Sequence, residues 1–323
     1  MNNKENTMPL DPIAAGLLQQ MDEAGAPPLN TLAPAEARQA AEGFLALAGE
    51  PEPVAETQEI SIPVEGGEIL VTLITPRGLY GVSGCLIYFH GGGWVIGDRA
   101  GLAPACHAIA SRGGCRVANV EYRLAPEHKF PTPFNDCYAA FKWFVENGES
   151  VKVDPTKLAV GGDSAGGNLA AAVALKARDE GLSNIQLQLL VYPVTNHAYD
   201  TVSYKDNGDG YLLTKDMMTW FWDHYLASPE DGKNPYASPL QAKSLKGLPP
   251  AIVYTAEFDP LRDEGEAYAN KLKEAGVDVH LTRFDGQIHA FFQMGGVFPS
   301  ATAAYDDAGR HLRYSVNVWP PRP

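Results

Sequence analysis

The sequence predicts an α/β fold: a mostly parallel sheet of eight strands covered by helices on both faces. Three observations predict it. Eight short runs rich in apolar and β-branched residues recur along the 323 residues. The first two alternate apolar and polar positions, as one-sided strands do, while the later ones are more continuously apolar. From the third run onward, segments of helical periodicity separate them. An antiparallel entry followed by repeated strand–helix units calls for parallel strands buried on both faces.

Residues 1–50 carry helical periodicity ahead of any strand. "QEISIPV" (58–64) and "EILVTLIT" (68–75) are the alternating pair. "CLIYFH" (85–90), "CRVANVEY" (115–122), "KLAVGG" (157–162), "LQLLVYP" (187–193), "AIVYTAE" (251–257) and "VHLTRF" (279–284) follow. Helices are expected at 102–111, 133–146, 166–177, 261–275 and 298–312. Residues 194–250 separate two strands by far more than a normal connection, and "LTKDMMTWFWDHYL" (213–226) within them carries a core-like set of Met217, Met218, Trp220, Phe221 and Trp222. Ligands bind at the carboxyl ends of parallel strands, so an insertion after the strand at 187–193 covers that edge. The expected organisation is therefore a catalytic domain in two parts, 51–193 and 251–323, under a helical cap made of 1–50 and 194–250. Leu17, Leu18, Phe44, Leu45, Trp220 and Phe221 are expected to bury one another over Trp94 and Phe291, which leaves a pocket of limited depth.

Lys and Arg total 25 against 39 Asp and Glu, a net charge of −14, which repels nucleic acid and anionic membrane surfaces. A small or neutral substrate fits better. The opening "MNNKENTMPLDPIAAG" has no apolar run of signal-peptide length and no segment approaches bilayer-spanning length, so a soluble cytoplasmic protein is expected. Cys85, Cys106, Cys115 and Cys137 show no CxxC spacing, and neither a disulfide nor a metal site is expected. A phosphate loop would need Lys where Asn168 stands, and no cofactor is expected.

The stretch "LAVGGDSAGGNLAAAVAL" (158–175) places Ser164 among four glycines where an apolar run gives way to an alanine-rich helix. Gly162-Asp163-Ser164-Ala165-Gly166 matches G-x-S-x-G, and a strand-to-helix junction is the setting that forces such a serine onto a strained turn with Oγ projecting outward. A helix cap alone would explain Ser164, but not Gly161, Gly162, Gly166 and Gly167 together. A serine nucleophile needs a base, and the base needs an orienting acid. His289 in "DGQIHAFF" follows the last strand by a short loop, at the same sheet edge; His280 lies inside a strand, and His107, His128, His197, His224 and His311 lack such an edge position. Of the carboxylates in "EFDPLRDE", Asp259 lies just past a strand end with Pro260 at the first helical position, whereas Asp263 and Glu264 fit the first helical turn. The order Ser, Asp, His is that of the α/β hydrolases. "YFHGGGWVIGD" supplies Gly91, Gly92 and Gly93 after a buried strand, whose N–H groups can face an oxyanion together with that of Ala165. His90 reads as a residue that orients this loop.

With His90-Gly91-Gly92-Gly93, Gly162 to Gly166, "DPLRDE" from Asp259 to Glu264 and His289 in this order, and with "EYRLAPEHKFP" from Glu121 to Pro131, the chain resembles the bacterial hormone-sensitive-lipase-like carboxylesterases, family IV. The resemblance spans about residue 60 to the C-terminus. It implies an α/β-hydrolase fold, a triad of Ser164, Asp259 and His289, and an oxyanion hole of Gly91, Gly92 and Ala165. It also implies a cap, short-chain acyl esters as substrates, and a homodimer. Members with a GGGX loop extend the range to esters of bulky tertiary alcohols. Asp163 places the chain in the GDSAG branch, and Ala290 stands where members often have Gly. Trp94, Asp163, Phe221 and Phe291 are the expected substrate-binding residues. An amidase or peptidase on the same fold stays open as an alternative. So does a non-catalytic small-molecule binder, against which His289 argues.

Overall fold

Each of the eight apolar runs forms a strand in the structure, a computed structural model that describes residues 9–316. Helices α1 (Pro12–Ala24), α2 (Pro34–Ala41) and α3 (Leu45–Ala48) come first, followed by the hairpin of β1 (Glu56–Val64) and β2 (Gly67–Thr75). Strand and helix then alternate through β3 (Ser83–Phe89), α4 (Arg99–Gly113), β4 (Arg116–Glu121), α5 (Thr132–Asn147), β5 (Val153–Asp163), α6 (Ala165–Asp179) and β6 (Ile185–Val191). The insertion contributes α7 (Val202–Asp206) and α8 (Lys215–Tyr225), and β7 (Ala251–Phe258), α9 (Arg262–Glu274), β8 (Val279–Ile288) and α10 (Pro299–Ser315) complete the alternation. Residues 1–8 of the expected cap and 317–323 of the expected catalytic domain lie outside the described residues.

The strands form one sheet in the order β1-β2-β4-β3-β5-β6-β7-β8. β2 pairs antiparallel with β1 and β4, and every other pairing is parallel. Continuous apolarity in the central runs has the cause assigned to it. Along β3, Cys85, Ile87 and Phe89 enter one core, with Phe141 and Phe144 of α5 and Leu169 and Val173 of α6. Leu86 and Tyr88 enter the other, with Cys106 and Ile109 of α4 and Ala304 and Leu312 of α10. Fully burying a large apolar side chain contributes roughly 1.5–3 kcal/mol relative to exposure, so these two layers carry the fold. The four cysteines are free and buried, small hydrophobes of the core; burial pushes the Cys115 thiol up to about 12. Among the described residues no helix is long and apolar enough to cross a membrane.

The N-terminal segment divides. Ala14 of α1 is buried in the second core and the Asp11 N–H donates to Gly286 O of β8 at 2.9 Å, with Leu17 and Leu18 packed on the same cluster. Leu17 and Leu18 thus lie on the layer that holds Phe291. By contrast Leu29, Phe44 and Leu45 face a cavity at the sheet edge opposite α8.

Candidate active site

β5 ends at Asp163 and α6 begins at Ala165, so the whole reversal falls on Ser164, at φ 56 and ψ −118. A non-glycine residue there stores on the order of 1–3 kcal/mol, tolerated only where surroundings over-determine it. They do. The Ser164 N–H donates to Val191 O at 2.8 Å, and its carbonyl accepts from Asn168 N at 3.0 Å and Val194 N at 3.2 Å. A Cβ on Gly166 would run into Phe89 O, and one on Gly162 into the Gly166 carbonyl, so strand and helix cross only because both are glycine. The Ser164 side chain makes no capping hydrogen bond; its Oγ lies 3.0 Å from His289 Nε2. Ala165, first residue of α6, carries an N–H with no intrahelical acceptor.

Phe258 and Ile288 are paired neighbours in the parallel β7–β8 ladder, and Asp259 and His289 are the residues immediately after them. Adjacent strand ends therefore deliver acid and base side by side. Asp259 Oδ2 lies 2.7 Å from His289 Nδ1, and its Oδ1 accepts from Leu261 N at 2.9 Å; both side chains are buried. A carboxylate on Nδ1 fixes the tautomer with the proton there, which leaves the Nε2 lone pair toward the serine hydroxyl. Helix α9 starts at Arg262, so Pro260 belongs to the turn before the helix rather than to its first position. Asp263 and Glu264 also do more than stabilise a first turn. Asp263 Oδ2 accepts from Ser203 N of α7 at 2.7 Å, and buried Glu264 accepts from Thr195 N at 2.6 Å and Asn196 N at 3.2 Å. Ala290 is left-handed at φ 66, a backbone state that glycine adopts without strain, which is the physical reason for glycine at that place.

The glycine loop differs from expectation at one residue. The Gly91 N–H donates to Asp163 Oδ1 at 3.1 Å and is not open to a substrate. The N–H groups of Gly92 and Gly93 find no acceptor among the described residues. Gly92 sits at φ 109 with Ile96 O where a side chain would be, and Gly93 at φ 57 with the Phe221 ring in that place. Asp163, completely buried, also accepts from Gln293 Nε2 at 2.5 Å and Tyr88 Oη at 3.4 Å. Burial pushes its carboxyl up, against the Gln293 hydrogen bond. It therefore braces the loop from beneath. His90 orients the loop as expected: its ring stacks on Tyr122 at 4.3 Å, its Nδ1 lies 2.7 Å from Gly91 O, and its carbonyl accepts from Tyr122 Oη at 2.7 Å.

A pattern for the α/β-hydrolase fold matches residues 86–293. Carboxylic ester hydrolase LipN of Mycobacterium tuberculosis is 42% identical over 250 residues, 75% of this chain and 66% of that protein. Ethyl acetate hydrolase of Pseudomonas putida is 38% identical over 307 residues, 91% of this chain and 95% of that one. The crystal structure of a thermostable esterase from Pseudomonas putida matches with a TM-score of 0.92 at 39% identity, covering 96% of this chain and 99% of that one. The chain belongs to the hormone-sensitive-lipase-like carboxylesterases of the α/β-hydrolase superfamily.

In this carboxylesterase-family chain a cavity of about 430 Å³ opens over Ser164 and His289. Leu213, Met217, Met218 and Phe221 wall it from the insertion, and Leu29, Phe44 and Leu45 from the N-terminal segment. Of the four expected substrate-binding residues, Phe221 and Asp163 line the cavity, Asp163 with a fully buried side chain. Trp94 and Phe291 do not line it. Trp94, at φ 61, stacks on Tyr225 at 4.1 Å and leans on Trp222 at 4.5 Å, which fastens the glycine loop to α8. Phe291 is buried against Tyr192 and Phe284 beneath His289. Arg38, which sequence reasoning missed, lines the cavity and donates to Val95 O and Ala125 O, both at 2.8 Å, and to both oxygens of Glu127. The signal lay half in "EYRLAPEHKFP", which contains Ala125 and Glu127.

Proposed function

We propose that this hydrolase cleaves short-chain carboxylic esters through an acyl-enzyme on Ser164. His289 Nε2 takes the hydroxyl proton as Oγ bonds to the ester carbonyl carbon, and the carbonyl oxygen becomes an oxyanion. The N–H groups of Gly92, Gly93 and Ala165 bind that oxyanion, each donor being worth roughly a hundredfold or more in rate. Collapse breaks the bond to the alcohol oxygen, which takes the proton from His289; water then repeats the sequence and frees the acid. Asp259 holds the imidazole tautomer and the imidazolium that forms.

The observation that carries this reading is the unbroken chain from Ser164 Oγ to His289 Nε2 at 3.0 Å and from His289 Nδ1 to Asp259 Oδ2 at 2.7 Å, under unpartnered loop N–H groups. Short acyl chains are supported by the cavity of about 430 Å³, which acyl and alcohol halves must share beneath α8 and the N-terminal segment. These two segments act as the cap. A reducing, cytoplasmic setting is part of the reading, supported by four free, buried cysteines. So is the homodimer implied by the family resemblance, to be read by light scattering.

The test is a panel of p-nitrophenyl esters of increasing acyl length beside an anilide of one acyl group, with a serine-directed organophosphate as label. Turnover should peak at short acyl chains, the anilide should be slow, and a single adduct should map to Ser164. Ser164→Ala should lose nearly all turnover and keep its melting temperature. Faster anilide cleavage would make the protein an amidase, and binding without turnover would leave only the binder.

A further inference from the structure

Away from the ester site, three side chains of metal-ligand type converge where the edge strand β8 meets α10. His280 stands on β8, and Asp307 and His311 stand one turn apart on α10, a spacing that puts both on one helix face. His280 Nε2 lies 3.4 Å and His311 Nε2 3.9 Å from the same oxygen, Asp307 Oδ2. The three donor atoms all lie within 4.8 Å of one another. The two imidazole rings are 4.8 Å apart, tilted by 40°.

A tetrahedral ion with bonds of about 2.0–2.1 Å holds neighbouring donors roughly 3.4 Å apart. One donor pair already meets that separation, and small torsions of partly exposed histidines close the others. The carboxylate is held in place by neighbours. Tyr254 Oη donates to Oδ2 at 2.7 Å, and Arg310 Nη2 takes Oδ1 at 2.7 Å, which turns Oδ2 toward both imidazoles. Such outer hydrogen bonds orient a ligating carboxylate. His280 Nε2 also lies 3.1 Å from Thr282 Oγ1, a contact that an ion would displace. A simple ion pair accounts poorly for the cluster, because Asp307 is already neutralised by Arg310 and yet two further imidazoles point at it. The net charge of −14 draws cations to the surface in any case.

We propose that His280, Asp307 and His311 bind a divalent ion of the zinc class, water filling the remaining position, as a clasp between β8 and α10. Two imidazoles and one carboxylate suit zinc and its late first-row neighbours and are too nitrogen-rich for calcium or magnesium. None of the three lines the ester cavity, so the ion takes no part in the hydrolysis.

Metal-free full-length enzyme is titrated with zinc chloride by calorimetry and with cobalt(II) by visible absorption, beside His280→Ala and His311→Ala. Wild type should bind zinc saturably, melt at a higher temperature with it, and give a cobalt absorption band; each variant should bind about tenfold or more weakly and lose the band. Ester turnover without added metal should match wild type in both variants, which reports an intact fold. Should an alanine variant melt early without zinc, His280→Gln and His311→Gln carry the same comparison. Absence of saturable zinc binding at millimolar concentration would overturn the proposal. So would unchanged affinity in the variants, which would assign the ion to other groups such as His289.

Discussion

Asp259 and Asp263 stand four residues apart in the same acidic stretch, and position alone separates their work. Asp259 reaches His289 Nδ1 at 2.7 Å, whereas Asp263 braces Ser203 N of α7 at 2.7 Å and pairs with Arg262 at 2.9 Å. Asp259→Asn puts an amide against the Nδ1 proton and favours the wrong tautomer, so kcat should fall by roughly 10⁴-fold with little change in melting temperature. Asp263→Asn should keep most of the turnover and lower the melting temperature, since it weakens a tie between insertion and α9. Turnover and melting of the two variants decide between them; a larger loss of turnover at Asp263 would transfer the acid's role. That Ser164, Asp259 and His289 come together was legible because each follows an apolar run that ends at one sheet edge. Gly93 was not legible as an open donor in place of Gly91. All three glycines look alike in sequence, and the choice among their N–H groups depends on which one the buried Asp163 carboxylate captures.

At the scale of elements, strands and main helices were legible because burial on both faces writes continuous apolar runs, and amphipathic packing writes a helical period. The inner surface of the proposed cap was not, because it is built by contacts across long sequence separations. Arg38 of α2 is the example: it clamps Val95 O, Ala125 O and Glu127, carrying α2 onto the glycine loop from 57 residues away and beyond. The hydrogen bond from Arg38 holds the Glu127 carboxyl down to about 2 from an ordinary 4.5. Because the folded value is the lower one, the tie is fully present above pH 4.5 and is lost as pH falls through about 2. The pair is solvent-exposed, so its charge alone is worth little, and the two buried-side carbonyl contacts carry the clamp. Arg38→Ala should therefore loosen the N-terminal wall of the cavity and raise KM for short-chain esters several-fold, with kcat changed less. Glu127→Gln should have a much smaller effect. Steady-state kinetics on butyrate and longer p-nitrophenyl esters measures both, and an unchanged chain-length profile in Arg38→Ala would count against a cap role for α2.

For the molecule as a whole, the insertion is tied to the catalytic layers by a buried acid rather than by apolar contact alone. Glu264 of α9 is buried, takes the N–H groups of Thr195 and Asn196 at the start of the insertion with Oε1, and leaves Oε2 without a partner among the described residues. Burial pushes its carboxyl up to about 8 from an ordinary 4.5, against the two backbone hydrogen bonds and helped by the nearby charges of Asp259 and Asp200. The folded value is the higher one here, so between pH 4.5 and about 8 the folded protein holds a proton that the unfolded chain has released. The stability this group contributes is complete below that window and lost as pH rises through it, by an amount on the order of a few kcal/mol. Glu264→Gln keeps an oxygen for both N–H groups and cannot ionise. Relative to wild type the variant should thus gain stability as pH rises, with similar unfolding midpoints near pH 5 and a clearly higher one for the variant near pH 9. Urea unfolding of both proteins across that range measures it. Parallel stability curves would mean that Glu264 releases its proton without cost, and that the insertion is held by its apolar face alone.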